Sequence, residues 1–362
     1  MFLAYCTSWE DVVEWYEKKE KNMKKQTKLV MNFFVFILLI VLTLYVLLKD
    51  QNLLEVFDII KSAKIEFVLL GIMCVAIYVI CESVNISRTL KALGEKSTFA
   101  HNIKYALIGF FFSAITPAAS GGQPMQIYYM HKNHISIANS TLALLINLTS
   151  MQIVTIGLAL FSIMINYQYM NKTLIILFTI GILLNLTALT LLLVGIFSKK
   201  LSRALINFAI KVLKLFRIRN IEEKKKKLEE TLAKYQNSAD YIKNNKRLIF
   251  RTILTTLVQY ISYYSVTYCT YRALGFADYN VLEIVTMQAV LYGTVSGIPS
   301  PGAVGVTEGA FIEIFRNIYP QNMIKSAVLL NRGINFYLLN IVCGIVTIIN
   351  QLASKDDIKQ LE

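Results

Sequence analysis

Charge is scarce in this chain: Asp, Glu, Lys and Arg make up 17% of its 362 residues, against about 25% in an ordinary soluble domain. Histidine occurs three times, tryptophan twice and proline five times. The low histidine count leaves little for metal or acid–base chemistry. His131 and His134 stand three apart, but no acid or cysteine completes a ligand set in their segment. The five cysteines (Cys6, Cys74, Cys81, Cys269, Cys343) are scattered and four lie in apolar stretches, so they read as small core residues rather than a disulfide framework. No Ser-His-Asp order, phosphate-binding Gly-Lys loop or paired-carboxylate constellation occurs, and no cofactor is expected. A soluble-type catalytic site and an ATP-driven pump are both disfavoured.

What is abundant is apolar surface. Hydrophobic residues form 55% of the chain, which points to a polytopic membrane protein. Apolar runs at 29–48, 67–86, 141–165, 173–197, 249–271 and 326–350 are each long enough to span a bilayer. Four of the five prolines fall in two breaks inside apolar stretches. They read Thr116-Pro117-Ala118-Ala119-Ser120-Gly121-Gly122-Gln123-Pro124 and Ile298-Pro299-Ser300-Pro301-Gly302-Ala303-Val304-Gly305-Val306-Thr307-Glu308. Unwound backbone in lipid strands amides and carbonyls at several kcal/mol each, so such breaks persist only beside a protein-enclosed or water-filled site.

Charge sets the expected sides. Segment 198–248 holds fifteen lysines and arginines against five acids, most of the chain's formal +14, and the positive-inside tendency assigns it to the cytoplasm. The lead at Lys18–Lys28 and the loop bearing Arg88, Lys91, Lys96 and Lys104 are basic too. Parity then makes the first broken segment start and end inside and the second start and end outside. The expected fold is an all-α polytopic membrane protein with six full spans and two broken or re-entrant helical hairpins, or eight spans, arranged as an inverted repeat.

The expected organisation is a basic cytoplasmic segment at 1–28, a membrane half at 29–197 with a broken hairpin at 103–137, a basic cytoplasmic linker at 198–248, a second half at 249–352 with a broken hairpin at 281–318, and a cytoplasmic tail at 353–362. Both termini are expected inside a bacterial-type plasma membrane. Residues before Met23 carry Trp9, Trp15 and Tyr16; they read either as an interfacial amphipathic helix or as the product of a start codon assigned too early. The linker's mixed apolar and basic stretch suits an interfacial helix attracted to anionic lipid. It lacks the stacking aromatics of a single-strand binder, and no nucleic-acid partner is expected.

Candidate binding residues cluster at the breaks. The second half of each hairpin would begin near midplane, directing backbone amides and a positive dipole end at an anion such as a lipid phosphate. Gly121, Gly122, Gly302 and Gly305 permit close backbone approach there, beside Ser120. Glu308 reads in two ways: as a first-turn acid behind a Thr307 cap, or as a membrane-depth carboxylate needing a partner. Arg332 is the favoured partner, ahead of Arg316 and Arg272. Gln123 and Gln126 occupy the corresponding place in the first half, so the two tips are chemically unequal. Glu82, Asn85 and Arg88 share a helical face, with Glu82 and Arg88 a candidate buried ion pair; Arg88 also reads as an inner-interface anchor.

At Pro117 to Pro124, at Pro299 to Glu308 and at Arg332, the chain resembles the lysylphosphatidylglycerol synthase transmembrane (flippase-like) family, over roughly 29–350. The pattern P-x-P-G-x-x-G-x-x-E is the more specific; many relatives place Glu or Arg where Gln123 and Gln126 stand. The resemblance implies a membrane domain that moves lysyl-phosphatidylglycerol or a similar lipid between leaflets and helps resist cationic antimicrobial peptides. In the longest members a cytosolic domain transfers lysine from lysyl-tRNA. With the sequence ending at Glu362, the expectation is a stand-alone member that is not a lysyltransferase on its own. The leading function is a lipid flippase for a phosphatidylglycerol-class lipid. One alternative is a membrane subunit of phosphatidylglycerol lysyltransferase working with a separate synthase partner; another is a transporter of a polyprenyl- or glyco-lipid. The oligomeric state is open, a homo-oligomer included.

Overall fold

Long apolar runs with few breakers fold as helices, and a computed structural model of the chain contains only helices and turns among its described residues. These are 58–116, 119–200, 203–204, 221–298 and 301–359. The expected span at 29–48, the segment 1–28 and the apolar-basic stretch around 205–216 lie outside them, as do Pro117, Ala118, Pro299 and Ser300.

The elements are α1 (Ile65–Ala92), α2 (Phe99–Ile115), α3 (Gly122–Lys132), α4 (Ile137–Asn166), α5 (Lys172–Phe197), α6 (Ile221–Asn244), α7 (Lys246–Ala273), α8 (Val281–Val295), α9 (Val306–Phe315), α10 (Ile324–Arg332) and α11 (Leu339–Lys359). A π-helical turn, Gly333–Leu338, joins α10 to α11 into one continuous rod. Side-chain caps set several starts: Ser136 on α4, Asn171 on α5, and Asn280 with Glu283 on α8.

Among the described residues, four helical stretches are long and apolar enough to cross a membrane: Ile65–Ala92, Ile137–Asn166, Lys172–Phe197 and Ile324–Asn350. The α7 helix is as long as α1 but threaded with Thr, Gln and Tyr. Its polar groups turn inward, with Thr252, Thr256, Gln259, Thr267 and Thr270 buried. The outer faces carry large exposed apolar side chains, among them Leu69, Met73, Ile180, Leu183, Ile345 and Ile348, a surface suited to lipid.

Both breaks interrupt helices too short to span. At ~1.5 Å per residue, α3 and α9 cover only ~16 and ~15 Å of a ~30 Å core. Chain direction and contacts place the two hairpins at opposite ends of the bundle. At one end the α1–α2 and α3–α4 turns meet α6 through Glu95, Ser136 and Lys234. At the other, Lys64 N–H donates to the Ala273 carbonyl and Asn171 donates to Glu313. The halves exchange contacts symmetrically: α1 packs along α7, α2 against α11, and α8 against α4. The tips meet in the middle, where the position of a Cβ on Gly302 is 3.4 Å from the Ala114 carbonyl.

Glu95 ties the first end together. Its carboxylate accepts from Ser136 Oγ at 2.8 Å, Asn139 Nδ2 at 2.7 Å and Lys234 Nζ at 3.4 Å. Burial alone would raise its pKa, but the hydrogen bonds from Ser136 and Asn139 and the Lys234 charge outweigh it and hold the carboxyl below its ordinary value. A depressed carboxylate contributes stability above its unfolded pKa, about 4.3, and loses it as pH falls through the folded value. Glu95→Gln is therefore expected to melt below the wild type at pH 7, with the gap closing under acid. Thermal unfolding across pH checks this; a gap independent of pH contradicts it.

Candidate functional site

The second tip is built on left-handed backbone: Gly302, Ala303 and Gly305 have φ of 59°, 49° and 84°. Gly305, not Thr307, caps α9, and Glu308 at the third helical position bends back so that Oε2 accepts the Gly305 N–H at 2.7 Å. The anion on this helix end is thus the protein's own carboxylate. The other oxygen, Oε1, accepts from Arg332 Nε at 2.7 Å, and Arg332 Nη2 donates to the Gly302 carbonyl at 3.2 Å. The guanidinium also lies 4.0 Å from the Phe336 ring centroid, a cation–π contact. Arg332 is the last residue before the π-helical turn, a distortion that recurs at functional sites.

The first tip is neutral. The Gly121 N–H donates to Thr116 Oγ1 at 2.9 Å, so the foremost amide of each tip is bonded within the protein rather than left for a ligand. Gly122 begins α3 against α2, and a Cβ there would sit 2.1 Å from Ser113 Oγ. Gln126 is buried and donates to the Tyr105 carbonyl at 3.1 Å.

Between the tips lie two adjoining cavities of about 520 and 260 Å³. They share walls at Tyr78, Phe110, Gln152, Asn185 and Tyr292. The larger reaches Arg332, Gly302, Thr307 and Asn335. It extends to Leu184 and Leu191 on α5, which are 42% and 67% exposed on the outer face. The smaller reaches Glu82, Gln123, Gln126 and Asn147. Tilted and edge-on tyrosines stand where they adjoin, with Tyr78 4.8 Å from Tyr263 and Tyr260 5.6 Å from Tyr292 between ring centroids.

Of the residues the sequence nominates, Gln123, Gln126, Gly302, Arg332 and Glu82 line these cavities. Glu308 stands behind Arg332, 2% exposed. Gly121, Gly122 and Gly305 shape the tips, and Ser120 is exposed outside both cavities. Glu82 and Arg88 do not pair. Arg88 turns to α7, donating to the Arg251 carbonyl and Thr255 and to Asn85, whereas Glu82 accepts from Asn147 and Gln259. A three-residue spacing puts both on one face but does not choose between partners on other helices. The sequence reading missed Gln152, Asn185, Gln288 and Asn335. Each is an uncharged amide inside a largely apolar helix, and that placement is the available signal; Asn335 also lies one turn beyond Asn331 and Arg332. Asn185 pins α5 to α8, donating to the Gly293 carbonyl at 3.2 Å and accepting from Ser296 at 3.2 Å.

A family model described as "Lysylphosphatidylglycerol synthase TM region" matches residues 33–343, a stretch that contains both tips, Glu82 and Arg332. No curated protein matches the chain.

Proposed function

Because this chain belongs to the lysylphosphatidylglycerol synthase transmembrane-region family, we propose that it is a lipid flippase whose larger cavity takes the head group of an anionic or lysyl-modified phospholipid of the phosphatidylglycerol class. The chain is a multi-pass membrane protein of a family tied to lysylphosphatidylglycerol synthesis; leaflet transfer is the step proposed here. The observation that carries it is the cavity's polarity gradient. A buried guanidinium stands at the inner end and the apolar Leu184 and Leu191 at the outward-facing edge, an order that matches a phosphate head and acyl tails. Arg332 gives one N–H to Glu308 and one to the Gly302 carbonyl and keeps further N–H donors for a phosphate oxygen. Asn185, Gln288, Asn335 and Asn340 add hydrogen-bonding groups around the head.

Two hairpins entering from opposite ends offer the bistable element that alternating access needs. The basic 198–248 end is assigned to the cytoplasm by its charge. Delivery of a lysyl lipid to the outer leaflet would reduce that surface's attraction for cationic antimicrobial peptides. Reconstitution into phosphatidylglycerol vesicles with fluorescent head-group-labelled lipid tests the proposal. Wild type is expected to expose label to a membrane-impermeant quencher, with Arg332→Gln slowing exposure by about tenfold or more, as loss of a charge-assisted contact implies. Transfer by the wild type no faster than in protein-free vesicles, or equal in both proteins, would count against it.

A further inference from the structure

We infer that the smaller cavity holds a monovalent-cation subsite centred on Glu82, distinct from the anion-facing Arg332 end; an inorganic occupant would stand apart from the lipid reading, whereas a head-group occupant rests on it. Glu82 is 5% exposed near the crossing of α1, α4 and α7. Its two oxygens each accept one amide: Asn147 Nδ2 reaches Oε1 at 2.6 Å and Gln259 Nε2 reaches Oε2 at 3.0 Å. No lysine, arginine or histidine forms a salt bridge with it among the described residues; Arg88, two turns along α1, is committed to α7. The other titratable groups near Glu82 are the Cys81 thiol and the Tyr78 hydroxyl on its own helix and the Tyr260 hydroxyl on α7, with Tyr292 of α8 across the same cavity.

The amides that hold the carboxylate leave their own oxygens unpaired. Asn147 Oδ1 and Gln259 Oε1 are buried without a hydrogen-bond partner, and so is Gln152 Oε1. Asn147, Gln152 and Glu82 all line the cavity. A buried acceptor left unpaired is destabilising, and an uncompensated buried carboxylate more so. Unpaired acceptors plus one negative charge without a cationic partner suit a singly charged, donor-rich or oxygen-seeking occupant. One carboxylate with neutral amide oxygens matches one positive charge and suits a hard cation better than a zinc-type metal. The shared chemistry is that of a small inorganic monovalent cation or of a primary ammonium carried on a lipid head group.

The test uses the full-length protein in phosphatidylglycerol nanodiscs at constant ionic strength and pH 7. Thermal unfolding is followed while N-methylglucamine chloride is exchanged for sodium, potassium or methylammonium chloride, and amine-bearing lipids retained through purification are identified by mass spectrometry. Saturable stabilisation by sodium or potassium supports the subsite with an inorganic occupant. A response to methylammonium, or retained amine lipid, supports it with a head-group occupant. In either case Glu82→Gln is expected to weaken the apparent affinity, or the lipid retention, by about tenfold or more, and the milder Gln152→Leu by about threefold. Arg332→Gln should keep the cation response whatever its effect on lipid transfer, which separates this inference from the flippase reading. No saturable response and no retained amine lipid in the wild type, or responses unchanged in both Glu82→Gln and Gln152→Leu, would overturn it and leave a protonated or water-bound Glu82.

Discussion

Arg332→Ala is expected to destabilise the folded protein by about 3–5 kcal/mol, more than the double change Glu308→Gln with Arg332→Gln. Removing one member of a buried pair strands the other charge, and that penalty exceeds the net value of the pair. Here the stranded group is Glu308, whose side chain is 2% exposed; its remaining bond in the structure is to the Gly305 N–H. The guanidinium also bridges α10 to the Gly302 carbonyl and covers the Phe336 ring at 4.0 Å, so alanine removes packing as well as charge. The double change neutralises both groups and keeps amides that can hydrogen-bond. Thermal unfolding in detergent, compared across wild type, the single and the double variant, checks the order. A single variant as stable as the double would mean that the pair is solvated.

Gly302→Val is the second change with a large expected effect, about 2–5 kcal/mol together with loss of the proposed lipid transfer. Two costs combine. The residue sits at φ 59°, where a side chain costs about 1–2 kcal/mol and a β-branched one is a true outlier. A Cβ would also meet the Phe336 ring at 2.4 Å, and overpacking of that kind adds about 1–3 kcal/mol. Pushing Phe336 away disturbs the surface under Arg332, so the electrostatics of the site depend on the backbone of the tip. Gly309 lies in the following helix with open space around its Cβ position, and Gly309→Ala should be close to neutral. Equal melting temperatures for Gly302→Val and Gly309→Ala would show that the tip is not strained as described.

Much of the architecture could be read before the structure, because a bilayer imposes few solutions. Span lengths, the two interruptions and the unequal tips follow from apolar runs, from Pro and Gly placement, and from the cost of a carboxylate at depth. The pairing of Glu308 with Arg332 was legible for the same reason: a charge there requires a partner, and few candidates exist. What escaped depends on which helices become neighbours. Arg88 and Glu82 share a face of α1, yet α7 draws Arg88 to the Arg251 carbonyl while Asn147 of α4 reaches Glu82. No local spacing encodes that choice. The capping of α9 was misread because Thr307 is a good cap by type, whereas the left-handed Gly305 moves the start of the helix two residues earlier. The tyrosines of α7 and α8 carry no local signal of their place; only packing sets Tyr260, Tyr263 and Tyr292 around the two cavities.

On the proposed reading, Arg332 and the meeting hairpin tips form an anionic-lipid head-group site. Mass spectrometry of the lipids retained by purified wild type and by Arg332→Gln, both checked for monodispersity, tests it most directly. The account predicts phosphatidylglycerol-class lipid at near-stoichiometric levels in the wild type and about tenfold less in the variant. The same lipids in the same proportions in both proteins would contradict it.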